Sequence, residues 1–528
     1  MYKKLAYLIL TVAIAASCAN QDRHTVSYGS IVCDESTIAS TQAGLVQGYL
    51  DGDVYTFKGI QYGVADRFMP PRKPAPYEGV KICRTFGPKC PQTGVSLNWR
   101  PRTSDSDFGF NGFIEPMDEA NCLVLNVWSK GLNDGKKRPV FFWIHGGGFA
   151  TGSATELQCY EGSSLAREGD IVVVSLNHRL NILGYLDLRG LGEGYEDCVN
   201  VGMQDIVLAL EWVRDNIEAF GGDPGNITIA GQSGGGGKVD ALLSMPSAMG
   251  LFHKAIAQSG SWILHHDDAT GKALGLEVLK ELGVDLENPE GLADIPYNDL
   301  VRAGNVALRR AHAQMFCPTV DGVYVTDPSF DPDAPTISRD IPMIIGSNQN
   351  EFAYQRADIS EQETMERLTR LVGEDEVDSY LADYKKAYPD RRLQDVLYID
   401  LFLRQKAVAM ADVKSGIGSK VYMYLFTWKP ASNDLGSVHG MELPFVFHNI
   451  AVQREMTGGT PDAYKLSDLI SHAWINFMKT GDPNTKGLPK WEPYTAENGY
   501  TMVFDKKCGI LRNHDRDLIS NHEAPLHW

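Results

Sequence analysis

Short apolar runs that take turns with helix-spaced segments govern what this chain can fold into. Residues 140–144 and 171–175 are continuous apolar stretches of strand length, as expected of strands buried on both faces. Residues 205–220 then carry Ile206, Leu208, Leu210, Trp212, Val213 and Ile217 at helical spacing. Strand-like runs return at 227–230, 254–258, 342–346 and 420–426, and a last helix is expected over 466–479, stopped by Gly481 and Pro483. Strands interleaved with helices imply a mostly parallel sheet covered on both faces. Residues 44–62 read instead as short hairpin strands, and the Ser-, Pro- and Gly-rich stretch 90–122 as a surface loop. No linker-like segment divides the chain, so its 528 residues read as one domain with insertions.

The net charge of -18 argues against a nucleic-acid partner, because binding phosphates takes clustered Lys and Arg. The N-terminus differs from the rest. Lys3 and Lys4 precede an apolar stretch from Leu5 to Ala16, too short to span a bilayer and suited to an export signal. The ending Ala15-Ala16-Ser17-Cys18 is similar to a bacterial lipobox, with Ala15 where Leu is usual; plain cleavage nearby, after Ala19, is the alternative. Residues 1–18 are therefore expected to be a signal peptide, 19–42 a polar lead-in, and 43–528 a single α/β domain. The protein should be exported: secreted, periplasmic, or held at the outer membrane through a lipid on Cys18. Nine cysteines are an odd number, and eight remain once Cys18 is lipidated or lost. None shows zinc-ligand spacing, so no metal and no cofactor is implied.

Two glycine-rich motifs carry the chemistry. Gly231-Gln232-Ser233-Gly234-Gly235 follows the 227–230 run and has the G-x-S-x-G pattern, in which a strand turns sharply into a helix and lifts the serine above the sheet. His145-Gly146-Gly147-Gly148-Phe149 follows the 140–144 run. Ester hydrolysis passes through an oxyanion that needs preorganised N–H donors, and bare glycine amides supply them. The donors read as Gly147, Gly148 and Gly234, with His145 as a packing residue under the loop.

With these motifs in place, the chain resembles the type-B carboxylesterase family, which also holds cholinesterases and some lipases. Further matching segments include Phe57-Lys58-Gly59-Ile60, Asn121-Cys122-Leu123-Val124-Leu125-Asn126-Val127, Asn177-His178-Arg179-Leu180, Phe220-Gly221-Gly222-Asp223-Pro224 and Lys479-Thr480-Gly481-Asp482-Pro483-Asn484. The resemblance implies an α/β-hydrolase fold, a large mostly parallel central sheet with helices on both faces. It places the triad acid at Glu351, in Gly346-Ser347-Asn348-Gln349-Asn350-Glu351, and the base at His439, in Val438-His439-Gly440-Met441-Glu442. Ser233 would then form an acyl-enzyme on a small-molecule ester, with His439 as general base and acid and Glu351 orienting it. Asp321 and Asp434 lie near the candidates, but the family pattern gives the role to neither. It also implies a disulfide between Cys90 and Cys122; the pairing of the other six cysteines, and the oligomeric state, stay open.

The chain departs from the family where Glu usually precedes the nucleophile and Ala follows it; here they are Gln232 and Gly234. Gly234 keeps the amide. Gln232 removes a charge near the leaving alcohol, which should weaken any preference for cationic esters. The glycine run 234–237 implies close backbone packing at the helix start, and Trp99 reads as a packing residue. Two other readings compete: a lipase or thioesterase on the same triad, and a non-catalytic adhesion protein. Filled triad positions disfavour the second.

Overall fold

The computed structural model describes residues 30–92, 116–261, 265–287, 289–328, 330, 332–353, 358–430 and 436–524. Twelve strands form one sheet. In spatial order they are β1 (Ile31–Val32), β4 (Tyr49–Asp51), β5 (Val54–Gln61), β7 (Val124–Ser129), β9 (Val172–Leu176), β8 (Arg138–Ile144), β10 (Gly222–Gln232), β11 (Lys254–Gln258), β12 (Met343–Asn348), β13 (Val421–Phe426), β14 (Tyr500–Phe504) and β15 (Gly509–Arg512). Every pairing from β9 through β14 is parallel, while the pairings outside them are antiparallel. Three more strands, β2 (Ile38–Ser40), β3 (Leu45–Gln47) and β6 (Val80–Ile82), make a small separate sheet.

The central strands are apolar throughout because both of their faces are covered. In β8, Val140, Phe142 and Ile144 point into one core cluster, and Phe141 and Trp143 into the other. Side chains alternate across a strand, so each residue of the run finds a buried partner. The helices Val201–Asn216 and Pro461–Thr480 cover opposite faces: Ile206, Leu210 and Val213 join the first cluster, and Leu466, Ile470 and Trp474 the second. The helix expected over 466–479 starts five residues earlier, since Thr460 caps it by accepting from Ala463 N–H and Pro461 fills its first turn, and it is not the last, because Arg516–Asn521 forms another. Part of the stretch 19–42 is built into the sheets, as β1 and β2, with Ala39 fully buried. Strands of two or three residues are too short for periodicity to reveal.

The parallel strands all point their carboxyl ends toward one edge, and ligands of such sheets bind there. Elements that carry the chemical motifs leave from that edge: the glycine loop after β8, Ser233 after β10 and Glu351 after β12.

Trp143 anchors the second core cluster, with Phe447 edge-on at 4.9 Å and Phe141 stacked at 5.9 Å. Trp143→Ala should cost about 3–5 kcal/mol, the range for emptying a buried aromatic site. Urea denaturation followed by circular dichroism checks this; an unchanged midpoint would contradict the packing described.

Candidate active site

Ser233 stands between the last residue of β10 and the helix Gly234–Leu242, with φ 57° and ψ −129°. An L-residue is strained there, and the neighbours hold it in place. Its N–H donates to Gln258 O at 2.9 Å, which carries the strand ladder into the turn. A side chain at Gly234 would collide with the Gly148 carbonyl, one at Gly235 with the Ile144 carbonyl, and one at Gly236 with the backbone of Gly260. This accounts for three glycines of the run: the helix rests its first turn directly on two other backbones.

The loop 145–148 faces that turn. Gly147 and Gly148 have φ 82° and 63°, the left-handed region that glycine tolerates. Its carbonyls are all engaged. His145 Nδ1–H donates to Gly146 O at 3.0 Å, Thr151 N–H to Gly147 O at 3.0 Å, and Lys238 Nζ to Gly148 O at 2.7 Å and His145 O at 3.3 Å. Among the described residues the N–H groups of Gly147, Gly148 and Gly234 have no protein partner. His145 is buried, stacks on His178 at 5.0 Å, and is pushed down to about 3 by burial and the charge of Lys238. It is a neutral packing residue.

Glu351 follows β12 and is fully buried. Its Oε1 accepts from Asn348 N–H at 2.7 Å, and its Oε2 accepts from His439 Nδ1–H at 2.7 Å. The backbone repeats the pairing, since His439 N–H donates to Glu351 O at 2.6 Å. Burial works against the imidazolium, but the hydrogen bond and charge of Glu351, with Glu442 and Asp400 adding to it, raise His439 above the ordinary histidine value. A proton on Nδ1 leaves the Nε2 lone pair free to act as a base. Phe352 packs against the ring at 5.0 Å.

The structure thus joins Glu351 to His439 directly. The residue before Ser233, Gln232, places its Nε2 3.1 Å from His439 Nε2. Among the described residues no hydrogen bond closes from Ser233 Oγ to that nitrogen; such bonds often tighten only when substrate is present.

Sequence reasoning left several supporting residues without a role. Asn348 Nδ2 donates to Glu442 Oε2 at 2.6 Å and to Val438 O at 2.8 Å, tying the histidine loop to the acid strand. Gln258 Nε2 donates to Glu442 Oε1 at 3.2 Å, while Gln258 O holds the Ser233 amide. Burial and the charge of Glu351 raise Glu442 to about 7. Asp321 spends Oδ1 on the N–H groups of Val323, Tyr324 and Val325, which is loop structure.

Cys90 and Cys122 are free thiols here, with no disulfide between them. Contact with Cys90, together with burial, pushes the Cys122 thiol well up, and its Sγ donates to Glu119 O at 3.6 Å. The two sulfurs stand as neighbours. Cys18, Trp99 and Asp434 lie outside the described residues.

The geometry agrees with what the chain is similar to. The Carboxylesterase family matches residues 35–518. Para-nitrobenzyl esterase of Bacillus subtilis (strain 168) is 35% identical over 494 residues, covering 90% of this chain and 96% of that protein. Phenmedipham hydrolase of Pseudarthrobacter oxydans is 33% identical, covering 90% of this chain and 97% of that one. Among solved structures, an esterase from anaerobic Clostridium hathewayi that can hydrolyze aliphatic aromatic polyesters superposes with a TM-score of 0.84 at 36% identity, covering 94% of this chain and all of that one. The chain belongs to the carboxylesterase family, and it is a serine hydrolase of carboxylic esters with the α/β-hydrolase fold.

Proposed function

We propose that Ser233 is the nucleophile, His439 the general base and acid, and Glu351 the residue that orients the imidazole. The observation that carries this reading is the 2.7 Å bond from His439 Nδ1 to Glu351 Oε2, on an imidazole whose Nε2 lies 3.1 Å from the side chain of Gln232, the residue before Ser233. On substrate binding the Ser233 hydroxyl takes the place of the Gln232 amide at Nε2. His439 then accepts the hydroxyl proton as Oγ bonds to the ester carbonyl carbon. The carbonyl π pair moves onto oxygen, where the amides of Gly147, Gly148 and Gly234 receive it. Collapse expels the alcohol, protonated by the imidazolium. Water, deprotonated by His439, attacks the acyl-enzyme and releases the acid.

Around this centre the substrate is a small uncharged ester. Gln232 places a neutral amide where the family usually has a carboxylate, so no fixed charge beside the leaving group draws in a cationic alcohol. Residues 1–18 serve export, with Cys18 as the lipid acceptor, and the Cys90–Cys122 thiols close to a disulfide after export. The sequence features given above support these assignments.

Short-chain p-nitrophenyl esters test the reading. Ser233→Ala should lower kcat by about 10⁶ and Glu351→Gln by about 10³–10⁴, as losses from comparable triads do. Either variant retaining activity within tenfold of wild type would contradict the assigned roles. The pH dependence has a definite sign. Neutral His439 is the active form and Glu351 raises its titration, so kcat/KM climbs with pH through that raised value. Gln232→Glu sets a second carboxylate beside Nε2 and should move the acid limb to higher pH, lowering kcat/KM at pH 6 about three- to tenfold. The same substitution should raise the rate on choline esters relative to neutral esters of the same acid; an unchanged ratio would refute the specificity argument.

A further inference from the structure

Lys238 sits one turn into the helix that follows Ser233 and is fully buried. The reaction described above does not use it. Its flanking run, Gly234 to Leu242, is otherwise small or apolar except for Asp240, so an apolar side chain would fit a helix of this kind without desolvating a cation. Burying an ammonium costs several kcal/mol unless strong acceptors meet it. Among the described residues no carboxylate bonds to Nζ. Its acceptors are two backbone carbonyls, Gly148 O at 2.7 Å and His145 O at 3.3 Å, and the Phe149 ring lies 5.4 Å away. Burial pulls the group down to about 7, and the charge of Glu156 opposes this through space.

The placement of those two carbonyls is informative. In a trans peptide the C=O and N–H point in opposite directions. The carbonyls of Gly146 and Gly147 are held by His145 and Thr151, so the amides of Gly147 and Gly148 are aimed the other way. Lys238 takes the carbonyls on either side of that pair, at His145 and Gly148. A single cation therefore clamps both ends of the two peptide planes, and it does so from the helix that carries the nucleophile.

We propose that Lys238 is a positioning residue for the oxyanion-binding amides, locking loop 145–148 against the helix of Ser233. The proposal rests on the reading of Ser233 as nucleophile and of Gly147 and Gly148 as oxyanion donors. Without the clamp, the loop glycines regain their freedom and the amides are no longer preorganised when negative charge develops. The defect should appear in the chemical step and leave ground-state binding of the ester alone.

The test compares Lys238→Met, which fills the same space without donors, with wild type on p-nitrophenyl acetate. Rates are normalised to the burst of p-nitrophenol, so that each folded site counts once. The expected result is a fall in kcat of about 10- to 100-fold, below the loss for removing an oxyanion donor outright, with KM within about twofold. Affinity for an aryl trifluoromethyl ketone, whose adduct with serine places a negative oxygen in the same site, should fall by a similar factor. A merely structural lysine would lower the melting temperature and leave the kcat of folded enzyme and the ketone affinity alone. If Lys238→Met does not fold, Lys238→Gln, which keeps one amide donor, carries the same comparison with a smaller fall expected. A kcat within threefold of wild type in the folded variant, or a change confined to KM, overturns the proposal. Ser233→Ala, measured alongside, separates the two levels. If it abolishes the burst while Lys238→Met keeps full kcat, only the clamp is refuted. If Ser233→Ala still hydrolyses the ester, the nucleophile assignment falls and takes the clamp with it.

Discussion

The site depends on backbone meeting backbone. The helix after Ser233 rests its first turn on the Ile144 and Gly148 carbonyls and on Gly260, at distances where no side chain fits. That contact forces the serine into its strained conformation, since the strand has no other way to turn into the helix. It also sets Gly234 directly against Gly148. A methyl group at Gly234 or Gly235 would push the two elements apart and disperse the three donors together. The proposed nucleophile and the amides proposed to receive the oxyanion thus depend on one packing constraint.

His439, the proposed base, is fixed by a different means, a network of hydrogen bonds in a buried acidic pocket. Glu351, Glu442 and Asp400 all influence His439. Burial raises both Glu442 and Asp400, and the charge of Glu351 adds to each shift. Like charges crowded in a poorly solvated volume oppose each other's ionisation. Asn348 arranges the group by bonding Glu351 through its backbone and Glu442 through its side chain. The same amide holds the residue before His439, so the base cannot shift without disturbing both acids.

The order of elements and the two glycine motifs were legible because they depend on local pattern. Residues 140–144 and 254–258 fall inside or on observed strands because a strand covered on both faces is apolar at every position. Glu351 and His439 were legible through resemblance, and the structure brings their side chains together across 88 positions of chain. Asn348, Gln258, Glu442 and Lys238 were not assigned roles, because the partners that give a polar residue its work are distant in sequence: Asn348 meets Glu442 across 94 positions and Lys238 meets Gly148 across 90. A faint signal existed for Lys238, a cation set in a glycine-rich and apolar run. Cys90 and Cys122 were also read through resemblance, and their thiols lie in contact; adjacency sets where a bond can form, while oxidation decides whether it does.

The most direct measurement is a crystal structure of the enzyme inactivated with a diethyl aryl phosphate, whose adduct mimics the tetrahedral intermediate. Phosphorus should be bonded to Ser233 Oγ alone. The phosphoryl oxygen should lie about 2.7–3.1 Å from the nitrogens of Gly147, Gly148 and Gly234, with His439 Nδ1 still on Glu351. Label on another residue, or a phosphoryl oxygen turned away from the glycine amides, would contradict the account.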